Sequence, residues 1–225
     1  MCSHYESVKD RHTLKMHFKV DGFPEEFKAD MWPTYMGLFV RNHVEAFADD
    51  NAILEREILL GSFGLIPHWS TDTKIARNTY NARSETVAEK PSYRDAWRSS
   101  KRCIIPAAAI YEPDWRSGKA VPTKISRADG NPMGIAGLWS AWKSPKDEII
   151  HSFTMLTINA DSHPLMRTLH KPADEKRMVV ILPDDRYEDW LNVSNEECRG
   201  LLKEYPADLL TAEAAIAKRP LLQAD

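Results

Sequence analysis

Four short apolar runs, each followed by turn-forming or charged residues, limit the folds that are open to this chain. They cover residues 57–66, 103–110, 149–158 and 177–182. Runs of this length that are rich in Ile, Val and Phe are typical of buried strands and are too short for long helices. Pro106 interrupts the second run, which favours an edge or bulged position for that strand because proline cannot donate to a ladder.

A hairpin is predicted between residues 121–127 and 133–142. The segment that joins them includes Ala-Asp-Gly-Asn-Pro, a series of turn formers. Gly61 and Gly64, in the first apolar run, indicate a bulge or a close approach of two backbones. Because the strands do not alternate regularly with helices, the sequence predicts an α+β fold: a single domain built on a mostly antiparallel, barrel-like β-sheet with short peripheral helices.

Three short helices are predicted around this sheet, at residues 93–99, 187–192 and 196–205. Ser92 is a candidate N-cap for the first helix, and Ser194 with Glu197 three residues on forms a capping box at the start of the third. We interpret residues 1–225 as one domain with an acidic helical tail that begins at about residue 184.

Composition excludes several classes of protein. A hydrophobic share of 43% and a charged share of 28% are ordinary for a soluble globular chain and exclude disordered, collagen-like and coiled-coil proteins. No apolar run reaches the roughly 18 residues of a membrane-spanning helix, and residues 1–12 lack the apolar stretch of a secretory signal. The three cysteines are too few and too scattered for a disulfide framework, so a cytoplasmic location is expected.

No metal site and no other cofactor are predicted. The eight histidines form no HExxH motif, and the cysteines have no CxxC spacing. His163 and His170 could share one helix face, but no further ligand in the sequence completes a site with them.

Charge is unevenly distributed along the chain, although the net charge is only −3. Residues 67–103 hold eight Lys or Arg against four acidic residues, whereas residues 184–225 hold ten acidic residues against five basic ones. A local basic face on an acidic protein suits a polyanionic ligand that is held in one place. Solvated faces of opposite sign explain the same pattern equally well.

Cys2 offers unusual chemistry if the initiator methionine is removed. An N-terminal cysteine carries its α-amine and its thiol on adjacent carbons, so the amine can condense with an aldehyde to an imine and the sulfur can close onto the same carbon as a thiazolidine. Alternatively, Cys2 is a plain N-terminal nucleophile whose own amine serves as the base. The third interpretation is an incidental cysteine at a frayed terminus.

Longer stretches of the sequence narrow these alternatives. Residues 63–69 (FGLIPHW), 81–97 (NARSETVAEKPSYRDAW) and 102–112 (RCIIPAAAIYE) resemble the SRAP family, whose members bond covalently to abasic sites in single-stranded DNA. The likeness continues through 136–139 (AGLW) and 153–160 (FTMLTINA). It implies a DNA-damage function for this chain, with a thiazolidine cross-link, a possible lyase side reaction and release of Met1 by autoproteolysis or by an aminopeptidase.

The resemblance also implies roles for individual residues. Cys2 matches the nucleophile of the family, and Asn81 and Arg83 match positions that hold the opened sugar and the neighbouring phosphate. Glu112 matches the glutamate that moves protons during imine formation, and His170 matches a histidine that acts on the sugar ring oxygen or holds the aldehyde open. Taken alone, these residues fit ordinary structural roles: a turn or cap for Asn81, ion pairs for the arginine and the glutamate, and a loop position for the histidine.

Single-stranded DNA needs aromatic side chains for its bases and basic side chains for its phosphates. Trp69, Arg77 and Arg94 lie in the basic stretch and are candidate DNA contacts, whereas Trp97 is expected in the core. The expected partner is single-stranded DNA that contains an abasic site, and the expected state is a monomer without membrane association. Two other functions fit the sequence: a peptidase-like hydrolase with Cys2 as acyl-transfer nucleophile, and a non-catalytic single-strand binding module.

The sequence departs from the family pattern at four places. Ser3 and His4 follow Cys2 where Gly-Arg is usual, which removes an arginine contact to DNA. Residues 32–46 lack the usual Ala-Pro after Tyr-Asn, which puts a DNA-wedging role there in doubt. Pro113 replaces the tryptophan that commonly follows the glutamate, and six residues separate His170 from the next arginine where one or two are usual.

Overall fold

The structure, a computed structural model, describes residues 2–43 and 56–215. Within them one sheet contains thirteen strands. Their bounds are β1 His4–Ser7, β2 Val20–Asp21, β3 Asp30–Met31, β4 Met36–Asn42, β5 Arg56–Phe63, β6 Asn81–Arg83, β7 Arg102–Asp114, β8 Val121–Arg127, β9 Met133–Lys143, β10 Ile149–Asn159, β11 Arg177–Val179, β12 Ile181–Leu182 and β13 Leu210–Ala214. The α-helices are α1 Arg11–Phe18, α2 Arg94–Arg98 and α3 Tyr187–Asn192.

Five of the strands close into a small barrel. The pairings run β9–β10–β5–β4–β7, and β7 pairs with β9 to complete the circle. All of these pairings are antiparallel except β10–β5, and the other parallel pairings are β10–β6 and β2–β5. The predicted α+β fold with a mostly antiparallel, barrel-like sheet is therefore confirmed. Its core is apolar, as the buried strand residues Leu38, Phe63, Ile104 and Phe153 illustrate.

Outer strands extend the barrel. Strand β1 pairs with β7, and β3 pairs with β1, so the N-terminal segment lies along the longest strand of the sheet. Strand β6 adds to β10 in parallel, with Asn81 opposite Met155. Strand β8 pairs with β7 and also with β13 near the C-terminus.

Several local predictions are confirmed. Strands β8 and β9 lie where the sequence predicts them, and Trp97 is buried. The ladder between β1 and β7 shifts register between Glu6 and Ser7, next to Pro106, although β7 is paired on both sides instead of lying at an edge. Gly64 marks a close approach, because a Cβ on it would lie 2.0 Å from the carbonyl oxygen of Ala76.

Other local predictions are wrong. The predicted hairpin between β8 and β9 is wrong, because β8 pairs with β7 and β13 whereas β9 pairs with β7, β10 and β12. The strand predicted at residues 57–66 is β5, which ends at Phe63. The strand predicted at residues 177–182 is split into β11 and β12, which pair with different neighbours. Helix α2 has Tyr93 at its N-cap without a side-chain cap bond, so Ser92 does not cap it.

The chain from Asp184 onward is less helical than its sequence indicates. The capping box between Ser194 and Glu197 forms, but only a 3-10 turn at Glu197–Leu201 follows, and not a helix through residue 205. Tyr187 and Trp190 of α3 are buried against the sheet, and β13 is a strand. No helix in the described part of the chain is long and apolar enough to cross a membrane.

Candidate active site

Four predicted site residues meet at one end of the barrel. Cys2 lies two residues before the start of β1, and Asn81 begins β6. Glu112 lies near the end of β7, and His170 follows the 3-10 turn Met166–Thr168. All four are at least nine-tenths buried. The pairing of His4 with Tyr111 aligns the start of β1 with the end of β7, which brings Cys2 beside Glu112.

The Cys2 side chain is enclosed, with an exposed fraction of 1%. Its Sγ donates a hydrogen bond to the carbonyl oxygen of His4 over 3.4 Å. Burial, and then the negative charge of Glu112, raise the pKa of the Cys2 thiol. The sulfur is therefore held as a neutral thiol beside a carboxyl group.

Asn81 fixes the backbone of Cys2. Its side-chain Nδ2 donates to the Cys2 carbonyl oxygen over 2.7 Å. The main-chain carbonyl oxygen of Asn81 accepts a hydrogen bond from the Tyr93 hydroxyl over 2.9 Å. The Asn81 Oδ1 atom is buried and accepts no hydrogen bond from any described residue. A buried acceptor without a donor is costly, so this oxygen is available to an incoming N–H or O–H group.

Glu112 and His170 form a buried pair, with 3.4 Å between Glu112 Oε2 and His170 Nδ1. Burial raises the pKa of Glu112 to about 7. Burial lowers the pKa of His170 to about 4. Both shifts favour the neutral forms, since a low-dielectric site penalises charge. His170 Nε2 lies 3.2 Å from the carbonyl oxygen of Arg177, which assigns the ring proton to Nε2 and leaves the Nδ1 lone pair toward the carboxyl group.

Backbone contacts hold this pair together. The His170 N–H donates to the carbonyl oxygen of Pro113 over 2.8 Å, and Asp114 forms an isolated bridge with Leu169. His170 adopts a left-handed conformation with φ of 61°. The longer segment before Arg177 forms a turn, in which the Asp174 N–H donates to the Lys171 carbonyl oxygen over 3.0 Å. The departure from the family spacing therefore leaves His170 beside Glu112.

Arg83 lies at the edge of this site, two residues beyond Asn81 on β6. Its side chain is half exposed, and its Nη1 lies 2.8 Å from Glu175 Oε2. Glu175 also contacts the buried Arg177, with 2.6 Å between Oε1 and Nη1. Glu175, in the lengthened segment between His170 and Arg177, thus forms an ion pair with Arg83, the residue that was predicted to bind phosphate.

The structure places the other three predicted DNA contacts outside this buried cluster. Arg77 lines a cavity of about 270 Å³ together with Thr34 and Met36. Trp69 is 47% exposed, and its indole N–H donates to the Pro91 carbonyl oxygen over 3.3 Å. Arg94, on α2, is exposed, with 3.7 Å between its Nε and Asp95 Oδ1.

Two tyrosines belong to the site but were not assigned to it from the sequence. Burial raises the pKa of Tyr80, and the negative charge of Glu112 raises it further. Burial raises the pKa of Tyr93 to about 12, and this residue supports Asn81 directly. Tyr80 directly precedes the family-like block at residues 81–97, and Tyr93 lies within that block. Their position in this block is the sequence feature from which their place in the site could have been predicted.

Described side chains do not form a metal centre. Within residues 2–43 and 56–215, no group of three or more His, Cys, Asp or Glu side chains could hold an ion. Cys2, Cys103 and Cys198 are all free thiols. The arrangement can instead hold an N-terminal amine and thiol next to a protonated carboxyl group, an amide oxygen and an imidazole.

Comparisons with known proteins identify the family of this chain. A family model described as SOS response associated peptidase (SRAP) matches residues 1–218. The Bacillus subtilis protein named abasic site processing protein YoqW is 38% identical over 154 residues, which are 67% of this chain and 65% of YoqW. Abasic site processing protein HMCES of Gallus gallus is 28% identical over 189 residues, which are 74% of this chain and 53% of HMCES. The match thus spans less than two thirds of either relative.

Solved structures share the fold. An X-ray structure of a protein from Bordetella bronchiseptica is 48% identical with a TM-score of 0.85, and the match covers 96% of this chain and 100% of the other. An X-ray structure of a protein from Bacteroides thetaiotaomicron has a TM-score of 0.70 at 24% identity and is similar in fold alone.

Proposed function

The chain belongs to the SRAP family, and on that premise we propose that it recognises abasic sites in single-stranded DNA and cross-links to them through Cys2. The observation that carries the proposal is the convergence of Asn81, Glu112 and His170 on Cys2. An abasic sugar in its open form presents an aldehyde, the group with which an N-terminal aminothiol condenses. The product shields the lesion from strand cleavage.

The proposed reaction begins with removal of Met1, which frees the α-amine of Cys2. The amine adds to the sugar aldehyde carbon, and loss of one water gives an imine. The Cys2 sulfur then bonds to the same carbon, the thiol proton passes to the nitrogen, and a thiazolidine closes. A C–N bond and a C–S bond form, the carbonyl oxygen leaves as water, and no oxidant or reductant is needed.

Each neighbouring group has a task in this sequence of steps. Glu112, with a pKa of about 7, can accept a proton from the attacking amine and return it to the departing hydroxyl near neutral pH. His170 Nδ1 faces that carboxyl group and can exchange the proton with it. The unpaired Oδ1 of Asn81 can accept a hydrogen bond from the amine or from a sugar hydroxyl.

Two related activities use the same groups. The imine intermediate can undergo elimination of the 3′ phosphate, which would appear as lyase activity. Release of Met1 requires cleavage of the bond before Cys2, either by the chain itself or by an aminopeptidase. The raised pKa of the Cys2 thiol weighs against a general peptidase, because a thiolate is the effective acyl-transfer nucleophile.

A denaturing gel tests the proposal. Purified protein is mixed with single-stranded DNA that carries one abasic site, beside the variants Cys2→Ala and Cys2→Ser. We expect a shifted band that survives heat and detergent without borohydride for the native chain alone. The serine variant keeps an amine but lacks the sulfur, so its adduct should need borohydride to survive. A heat-stable band of equal intensity in Cys2→Ala would exclude the thiazolidine, and DNA binding without any adduct would favour a binding module.

A further inference from the structure

A ladder of three stacked rings lies next to the candidate active site. Tyr111 on β7, His4 on β1 and Trp32 just after β3 come from three neighbouring strands. The ring centroids of Tyr111 and His4 are 4.2 Å apart with an interplanar angle of 13°. Those of His4 and Trp32 are 4.1 Å apart with an angle of 12°. The three rings are therefore nearly parallel and in contact.

Carboxylates hold the ladder in place. Asp30 Oδ1 lies 2.5 Å from His4 Nε2, and Asp30 Oδ2 accepts a hydrogen bond from Trp32 Nε1 over 3.3 Å. The Tyr111 hydroxyl donates to Glu6 Oε2 over 3.3 Å. Each ring is thus fixed by a polar contact at its edge as well as by stacking, so the ladder is rigid.

The ladder ends on an open indole. His4 covers one face of Trp32, yet 40% of the tryptophan remains exposed. Tyr35 and Met36, in the same turn, are 39% and 45% exposed. The turn is itself held to β5, because the Thr34 N–H donates to the Phe63 carbonyl oxygen over 2.7 Å. This rigid aromatic surface is supported by His4, which lies two residues from Cys2, and it suits contact with a planar ligand.

We propose that the exposed face of Trp32 stacks on the nucleobase that neighbours the abasic site. This inference rests on the proposed function and identifies where the flanking nucleotide binds. A base beside an abasic sugar has lost a stacking partner, and contact with an aromatic ring replaces that partner without sequence preference. The position of Trp32 suits this role because His4 links it to Cys2. The His4 ring stacks on Trp32, and the His4 carbonyl oxygen accepts a hydrogen bond from the Cys2 thiol.

Charges around the turn fit a nucleotide. Lys28 Nζ lies 4.2 Å from the centroid of the Tyr35 ring. On the other side, Lys74 and Arg77 line the cavity that Thr34 and Met36 bound. Glu26 is the acidic residue that lines the neighbouring cavity with Lys28. Asp30 is a second acidic residue at the turn, and Lys28, Lys74 and Arg77 are the cations there that can pair with the phosphates on either side of a stacked base.

The test uses an oligonucleotide in which 2-aminopurine is adjacent to a tetrahydrofuran, an abasic analogue that has no aldehyde. Stacking on Trp32 should quench the 2-aminopurine fluorescence when the native protein binds. Trp32→Ala should lose the quench and weaken binding roughly 5- to 100-fold. Trp32→Phe keeps an aromatic ring and should retain most of the fluorescence quenching and most of the binding affinity. Met16→Ala, at a residue of α1 that is 64% exposed, is the matched surface control.

The controls separate the two proposals. Cross-linking to a true abasic site by the native chain tests the proposed function independently of fluorescence. If the native chain cross-links but the quench is the same in folded Trp32→Ala, the stacking proposal is wrong and the proposed function stands. Thermal unfolding of each variant shows whether the fold is kept, and Trp32→Phe covers the case in which Trp32→Ala fails to fold.

Discussion

The side-chain amide of Asn81 binds the carbonyl oxygen of Cys2 over 2.7 Å, across 79 positions of sequence. This bond ties the residue that carries the reacting amine and thiol to β6, and β6 is held to the barrel through β10. Because the contact is made to the backbone, it orients Cys2 without occupying either of its reactive groups. The remaining oxygen of the amide stays free for the substrate.

Replacing Asn81 with Asp should slow cross-linking while leaving the fold intact. A carboxylate is the same size, but it cannot donate to the Cys2 carbonyl oxygen and would repel it. Loss of a buried hydrogen bond costs about 1–3 kcal/mol, so we expect a decrease of roughly 5- to 150-fold in the single-turnover rate. Tyr93→Phe, which removes only the bond to the Asn81 carbonyl oxygen, should have a smaller effect. A native rate in Asn81→Asp would contradict this role.

The cross-linking rate should depend on pH with a maximum between about 7 and 8. Glu112 has a pKa of about 7, so it loses its acidic proton as the pH rises through that value and water loss slows. The α-amine, with an ordinary pKa of about 8, must be neutral to attack, so the rate also decreases as the pH is lowered. Glu112→Gln should be roughly 100-fold slower and should lack the alkaline decrease. An unchanged alkaline decrease in this variant would assign it to another group.

Arg83 should contribute to DNA affinity, and Glu175 should compete with DNA for it. Arg83→Ala should weaken binding of single-stranded DNA. It should also reduce the slope of log binding constant against log salt concentration by about 0.7 in magnitude, the value for one phosphate contact. Glu175→Gln removes the carboxylate 2.8 Å from Arg83 and should strengthen binding. Arg186→Ala is a matched control, since Arg186 is exposed and also paired with an acid. Equal slopes for Arg83→Ala and the native chain would argue against a phosphate contact.

Gly64 should tolerate no side chain, because its φ is +130° and a Cβ would lie 2.0 Å from the Ala76 carbonyl oxygen. Gly64→Ala should therefore lower the free energy of unfolding by about 3 kcal/mol or more, measured in urea. Gly118 also has a positive φ, but nothing lies within 4 Å of its Cβ position. Gly118→Ala should cost only about 1 kcal/mol. Similar losses in the two variants would show that backbone conformation alone limits Gly64.

Strand positions were predictable from the sequence because apolar runs and turn formers act locally. Strands β8, β9 and β10 lie close to where the pattern predicts them. The helix predicted at 196–205 does not form, because the length of a helix depends on tertiary packing. The capping box starts a 3-10 turn at Glu197–Leu201, but Cys198 is the only buried residue of that turn, so packing does not extend the turn into a helix. Closure of the barrel between β7 and β9 depends on contacts that a local pattern does not contain.

The candidate site could be predicted in its residue types but not in its geometry. Cys2, Asn81, Glu112 and His170 followed from motifs, and the structure brings them together. The left-handed backbone of His170 and the bond from its ring to the Arg177 carbonyl oxygen arise from tertiary packing. The ladder of Tyr111, His4 and Trp32 was not predicted either, because its rings come from two strands and the end of a third that are distant in sequence.

Intact mass spectrometry of the cross-linked product tests the central claim most directly. The account predicts one species whose mass is that of the chain without Met1 plus the abasic oligonucleotide, minus one water, with the modification on the N-terminal Cys2. Borohydride should leave this mass unchanged, because a closed thiazolidine has no imine to reduce. A dehydrated adduct from Cys2→Ala that borohydride leaves unchanged, an adduct at another residue, or a native adduct that gains two hydrogens with borohydride would contradict it.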